Sequence, residues 1–295
     1  MIDDGINKNS NAFHLAGIVP VAGQPLEFDY PWHPSLNPIG SDYLSLERAV
    51  YECATAGCET IWVVCHHGTH PILRKRLGEW IKDPISTGRF LSTDEERRIP
   101  IYYVPIHPKD RERRDCLGWS VLYGALTAYW ISRKMSKWVT PDLYFVSFPY
   151  GAYDPEVVRP HRKDISSRKK FLLKSGGKTI KDGLPLAFTF DAEDFKSCRR
   201  HVREMSTTSH DANGRKLPMK ERYSARYFPL DKVFESVIID ADTKQVDVPW
   251  FYDISTWQGY REYLGSDKQL IKPPEVKYNE WNEIDRWRNE PSDDE

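Results

Sequence analysis

The strongest constraint on the fold is the order of patterns within residues 14–70. An apolar run, HLAGIVPVAG (14–23), comes first. A proline-rich segment, QPLEFDYPWHPSLNPIG (24–40), follows, and then SDYLSLERAVYECATAGCETIWVVCHHG (41–68). The order reads as strand, long loop, helix, strand, loop. Leu44, Leu46, Ala49, Val50, Cys53 and Ala54 recur at roughly helical spacing. Ser41 or Asp42 is the expected N-cap and Gly57 the expected stop. The short apolar stretch 61–65 has the composition of a buried parallel strand. Two parallel strands joined by a helix form a right-handed βαβ unit. The loop after the first strand then lies at the carboxyl edge of the sheet, where open sheets bind ligands.

The rest of the chain extends this alternation. PILRKRLGEWIK (71–82) reads as an amphipathic helix, residues 99–106 as a strand, LGWSVLYGALTAYWISRKMS as a long helix and residues 142–148 as a strand. Residues 186–190, 224–230 and 234–242 read as strands, with a polar surface loop at 199–220. A helix is expected at 257–264, capped by Ser255. Residues 1–11 and 275–295 are polar tails around one domain at 12–268.

With 295 residues and 40% hydrophobic composition, the chain can bury a full core. Its 42 basic and 43 acidic residues cancel, so the molecule as a whole has no bias toward polyanions. No run of 18 apolar residues is present, and the N-terminus lacks a signal-peptide pattern. Five irregularly spaced cysteines fit reduced thiols in the cytoplasm. Cys53, Cys58, Cys65, His66, His67 and His70 crowd together, but their spacing suits core cysteines and loop histidines better than zinc. One segment is locally basic: Arg159, Arg162, Lys163, Arg168, Lys169 and Lys170 fall close together.

Three stretches carry a resemblance. Leu36-Asn37-Pro38-Ile39, with a helix ending in Ala56-Gly57 before a strand, resembles the N-terminal half of the sugar-phosphate nucleotidyltransferases. These are the nucleotide-sugar pyrophosphorylases, with a GT-A-like nucleotide-diphospho-sugar transferase fold. Gly118-Trp119-Ser120, with Gly124-Ala125-Leu126 after it, resembles the family's nucleotide-contacting loop and helix start. Asp253, in PWFYDIST, stands where the family has its second metal-binding aspartate. The resemblance covers roughly residues 14–265. It implies an α/β fold, with a mainly parallel, Rossmann-like central sheet, helices on both faces and a smaller β-rich C-terminal region at about 185–250.

The resemblance also implies roles. Ala22, Gly23, Gln24, Gly118 and Ser120 would contact a nucleotide or nucleotide sugar, and His66, after a strand end, would line the same pocket. Asp154 and Asp253 would hold Mg²⁺ or Mn²⁺. The sequence departs from the family at chemical positions. Ala22-Gly23-Gln24-Pro25-Leu26-Glu27 replaces Ala-Gly-x-Gly-Thr-Arg. The family's lysine falls near Pro34, beside His33, which would partly replace its charge. The strand at 142–148 ends in Ser147-Phe148 instead of Gly-Asp, which makes Asp154 the first acid available. His33, Asp154 and Asp253 are therefore the candidate catalytic residues.

Three functions compete. The first expectation is a glycosyltransferase that moves a sugar from a nucleotide sugar to an acceptor, since residues 24–36 carry Glu27 and Asp29 but no Lys or Arg to stabilise leaving pyrophosphate. The basic segment at 159–181 would suit DNA as that acceptor. The alternative is a sugar-1-phosphate nucleotidyltransferase that makes a nucleotide sugar from a nucleoside triphosphate. A third reading is a nucleotide-binding protein without activity. No membrane partner is expected, and the oligomeric state is not specified by the sequence.

Overall fold

Leu15–Pro20 is buried along its whole length and forms β1, a strand inside the sheet with neighbours on both sides. In the computed structural model, residues 13–24, 30–85, 97–136, 139–211 and 213–276 are described. After β1 come β2 (Pro38–Gly40), β3 (Tyr43–Leu44), α1 (Ser45–Ala56), β4 (Thr60–Cys65), α2 (His70–Leu77), β5 (Trp80–Lys82) and β6 (Arg98–Pro105). Then come α3 (Pro108–Arg114), α4 (Leu117–Met135), β7 (Leu143–Val146), β8 (Gly151–Ala152), α5 (Arg162–Ile165), β9 (Phe171–Lys174) and β10 (Phe188–Phe190). The remaining elements are α6 (Ala192–Met205), α7 (Met219–Arg222), α8 (Leu230–Phe234), β11 (Lys244–Asp247), β12 (Tyr252–Asp253) and α9 (Trp257–Leu264).

The main sheet has eight strands in the order β11-β9-β10-β7-β1-β4-β6-β5. β1 is parallel to β4 and β7, and β4 is parallel to β6. Only β5 and β10 run against the others. Alternate residues of β1 face opposite layers. Leu15 and Val19 join the core under α1 and α9, whereas Ala16 and Ile18 join the core under α4, α6 and α8. Helices therefore cover both faces, as expected.

Several boundaries differ from the sequence reading. Ser41 and Asp42 do not cap α1. Tyr43–Leu44 pairs with Pro38–Gly40 in a small hairpin, and the Glu47 carboxylate reaches back to accept from the Leu44 amide at 2.8 Å. Gly57 ends the helix in the left-handed region, φ 97°, as predicted. The helix expected at 71–82 stops at Leu77, and Trp80–Lys82 pairs with β6 as an antiparallel edge strand. Thr256, not Ser255, caps α9 by accepting from the Gly259 amide at 3.1 Å.

In the region from 185 to 250 helix outweighs strand, so it is not β-rich. Asp191 caps α6 through the amides of Glu193 and Asp194, so the loop expected at 199–220 begins only after Met205. Residues 224–227 form a 3-10 turn, and α8 follows directly. Pro229 cannot donate to a strand ladder, which disfavours the expected strand there. The stretch expected at 234–242 is irregular, and β10 and β11 join the main sheet itself. Val276 is buried in the core, so the described part of the expected 275–295 tail is packed. The remainder of that tail, and residues 1–11, lie outside the described residues. Among the described residues, no helix is long and apolar enough to cross a membrane.

Candidate functional site at the carboxyl edge of the sheet

After β1 the chain moves outward to β4 and β6, then returns to place β7 on the other side of β1. The crevice beyond the carboxyl ends of β1 and β7 is therefore the switch point of an open sheet. The two loops that leave it are tied together: the Tyr150 hydroxyl donates to the Val21 carbonyl at 2.6 Å. The amides of Val21 and Ala22 donate to the Val64 carbonyl at 2.8 and 3.0 Å, which bends the chain over the sheet edge. A cleft of about 300 Å³ opens here, lined by Gly23, Gln24, Cys116, Tyr150, Arg226 and Asp253 among others.

Gly23 closes the turn with φ +80°, and a Cβ there would lie 2.4 Å from the Cys116 carbonyl carbon. That contact presses the turn against the start of α4. Ala22 accepts from the Ser120 hydroxyl at 2.6 Å, a buried bond that pins the same junction. A Gly23→Ala substitution meets both the left-handed backbone and the clash. We expect it to cost more than about 1 kcal/mol, read as a lower urea midpoint.

The expected residues separate into three groups. Gly23, Gln24 and Asp253 line the cleft. Ala22 and Ser120 lie directly behind it, with Ser120 buried and its hydroxyl committed to Ala22. Gly118 faces away: a Cβ there would meet the Val233 side chain at 2.7 Å, so its glycine lets α8 pack on α4. His66 is held by Asp115, Nε2 to Oδ1 at 2.9 Å, and Asp115 in turn lies 3.8 Å from Arg226. His66 thus borders the cleft through its partners.

His33 does not supply a cation. Its Nδ1 lies 2.8 Å from the Ser35 hydroxyl, at the cap of the 3-10 turn Pro34–Leu36. Burial, helped by nearby His66, pushes its pKa from 6.5 down to about 4. The unfolded chain takes up this proton near pH 6.5 and the folded chain only near pH 4. The neutral imidazole therefore contributes stability above pH 6.5 that is lost as pH falls toward 4. Urea unfolding at pH 7 and pH 4.5 should show wild type losing up to about 3 kcal/mol more than His33→Gln.

The two aspartates have different surroundings. Asp253 pairs in register with Gly151, and its Oδ1 accepts from the Ser255 amide at 3.0 Å. Its turn is clamped from both sides: the Ile254 amide donates to the Tyr150 carbonyl at 2.9 Å, and the buried Asn37 amide donates to the Ile254 carbonyl at 2.9 Å. Asp154 caps the 3-10 helix Pro155–His161 by accepting from the Glu156 amide at 2.9 Å. Among the described residues, no group of three or more His, Cys, Asp or Glu could hold a metal ion. All five cysteines are buried free thiols. Cys116, at the head of α4, is pushed up to about 12 by burial and is no nucleophile.

The basic segment does not form a surface for an acceptor at this cleft. Arg162 binds Asp83 at 2.8 and 3.0 Å and the Ala54 carbonyl at 3.2 Å. Ala54 is at the end of α1, next to the start of β4, so this is the amino edge of the sheet. Lys170 pairs with Asp194 at 2.7 Å and Asp191 at 3.6 Å, and Arg159 pairs with Glu156 and the Tyr51 hydroxyl. Lys163, Arg168 and Lys169 are exposed between these anchors. The cation that does face the cleft is Arg226, which the sequence reading missed. It donates to the carbonyls of Arg111 at 2.8 Å and Glu112 at 3.0 Å. Glu27 and Asp29, on which the argument against pyrophosphate rested, lie outside the described residues.

No protein-family model matches the sequence, and no curated protein does. Among solved structures, a Bacillus anthracis protein assigned as a glucose-1-phosphate thymidylyltransferase, crystallised with sucrose, is similar. The two agree with a TM-score of 0.50 and 10% identity, over 90% of this chain and 99% of that one. A UDP-glucose pyrophosphorylase in complex with UDP-glucose aligns with a TM-score of 0.47 and 12% identity, over 85% of this chain and 97% of that one. The first likeness is one of fold alone: the chain shares a Rossmann-like α/β architecture with that protein.

Proposed function

We propose that the chain is an enzyme of the transferase class, a sugar-1-phosphate nucleotidyltransferase acting in the carboxyl-edge cleft. One observation carries this reading. At the switch point of the sheet, a glycine turn, the head of a 19-residue helix, an arginine and a carboxylate converge on one open cleft. In the reaction, a phosphate oxygen of the sugar 1-phosphate attacks the α-phosphorus of a nucleoside triphosphate in line. The bond from α-phosphorus to the bridging oxygen breaks, and pyrophosphate leaves with the electron pair. Charge grows on that leaving group, so fixed positive groups next to it lower the barrier. Arg226 and the positive end of α4 are such groups.

A divalent cation, Mg²⁺ or Mn²⁺, fits the residues present. Asp253 spends one carboxylate oxygen on its turn and keeps the other for a ligand, and Mg²⁺ needs only one or two carboxylates beside phosphates and waters. Such an ion supplies charge neutralisation when bound. Asp154 also spends one oxygen on its cap, but it does not line the cleft as Asp253 does. Sugar transfer to DNA loses its support, because Arg159, Arg162 and Lys170 are paired internally and Arg162 anchors the segment at the amino edge, away from the cleft.

The test is direct. The protein is incubated with each nucleoside triphosphate, a panel of sugar 1-phosphates and Mg²⁺, and pyrophosphate is measured. Pyrophosphate release that falls at least about 100-fold in Arg226→Met is the expected result. Release of nucleoside diphosphate from nucleotide sugars, without any pyrophosphate activity, would establish sugar transfer instead. Nucleotide binding without turnover would establish an inactive site.

A further inference from the structure

Beside the cleft, α3, α6 and α7 with the 3-10 turn after it bring six arginines to one surface. Arg226 is bonded to the carbonyls of Arg111 and Glu112 in α3 and lines the cleft. The Arg113 and Arg222 guanidinium carbons each lie 6.0 Å from the Tyr223 ring. Arg114 lies 4.6 Å over the Trp119 ring, in the first turn of α4 beside the cleft. Arg199 and Arg203 are one turn apart on α6, which packs against α4.

These charges are poorly neutralised by the protein. Arg114 pairs with Asp110 at 3.4 Å, and Arg226 lies 3.8 Å from Asp115. Among the described residues, Arg113, Arg199, Arg203 and Arg222 make no ion pair. The Arg199 Nε is buried without a hydrogen-bond partner. Burial, and then the neighbouring Arg203, holds the Arg199 guanidinium below its ordinary range, and Arg114 is depressed by burial and by Arg203, Arg113 and Arg199 against the pull of Asp110. Like charges this close repel, and the guanidinium fork matches phosphate oxygens in pairs.

We infer that this surface is an oligophosphate site, holding two or more linked phosphates between Arg114, Arg199 and Arg203, with Arg226 joining it to the cleft. The inference goes beyond the reading of the cleft and does not depend on it. Two sources have this chemistry: a free or nucleotide-borne polyphosphate, and the phosphodiester backbone of a nucleic acid. Half-buried Tyr223 and exposed Tyr227 sit on the same surface, where Tyr227 would stack on a base if the second source applies.

The probes are inorganic tripolyphosphate, a twelve-nucleotide oligothymidylate and a nucleoside diphosphate sugar, each titrated into wild type and Arg199→Gln/Arg203→Gln. Tripolyphosphate or oligothymidylate should bind wild type at least about tenfold more tightly than the variant. The free variant should melt at the same temperature as wild type or higher, since repulsion is relieved. Tripolyphosphate alone identifies the polyphosphate source, and oligothymidylate alone the backbone source. Equal binding of both probes to wild type and variant, or to neither, overturns the site. If the double variant does not fold, exposed Arg203→Gln alone carries the same comparison. Absence of nucleotide-sugar binding to wild type would count against the cleft and leave the arginine site standing.

Discussion

Replacing Arg48 by methionine is expected to cost about 3–5 kcal/mol of stability, the usual result of orphaning a buried charge. Arg48 and Glu52 are completely buried, with Nη1 3.2 Å from Oε2. Arg48 also donates to the Phe148 carbonyl and lies 4.3 Å over the Tyr153 ring. Glu52 accepts from the Tyr153 hydroxyl at 2.9 Å and from the Ser147 hydroxyl. The network therefore fastens α1 to the loop after β7, which carries Tyr150 into the cleft. Burial already pushes the Glu52 carboxyl upward, and Arg48 opposes that push. Without the arginine, Glu52 must be buried unpaired or bind a proton. Arg48→Met/Glu52→Leu removes both charges and should recover most of the loss, as buried ion pairs replaced by apolar groups often do. Urea unfolding of the two singles and the double measures the coupling. Additive losses would mean that the two charges do not depend on each other.

Asp253→Asn carries the largest expected effect on ligand binding. The asparagine oxygen can still accept from the Ser255 amide, so the turn and the melting temperature should survive. The clamps on Ile254 from Tyr150 and Asn37 are untouched. What is lost is the negative charge that would hold a divalent cation against a phosphate. Mg²⁺-dependent nucleotide affinity should fall by about 100-fold or more, since even changes behind a metal ligand cost 10–100-fold. Affinity measured in EDTA should barely change. Equal losses with and without Mg²⁺ would assign Asp253 a direct contact with the ligand in place of a metal.

The βαβ unit was legible because its signals are local. Residues 15–20 and 61–65 are buried throughout, and the left-handed stop at Gly57 follows from the residue itself. The carboxyl-edge position of Gly23 followed from topology once the strands were placed, whereas Asp253 was pointed to only by the resemblance. Residues 224–242 misled because short apolar runs do not distinguish strand from helix. There Pro229 blocks a ladder, and Val233 is buried against Gly118 by contacts far along the chain. The basic segment misled for a similar reason. Arg162 finds Asp83 across 79 residues, so its neutralisation is invisible to a window of neighbours. Arg226 was missed because one arginine in SARYF carries no local signal. Only its bonds to α3, more than 100 residues earlier, turn it toward the cleft.

The most direct measurement is a crystal structure of the protein with a nucleoside diphosphate sugar and Mg²⁺. The account predicts the diphosphate between the Gly23 turn and the head of α4, within reach of Arg226, with the cation on Asp253. Ligand bound instead in the apolar hollow at the amino edge, between Trp62, Tyr102 and Ile131, would contradict it.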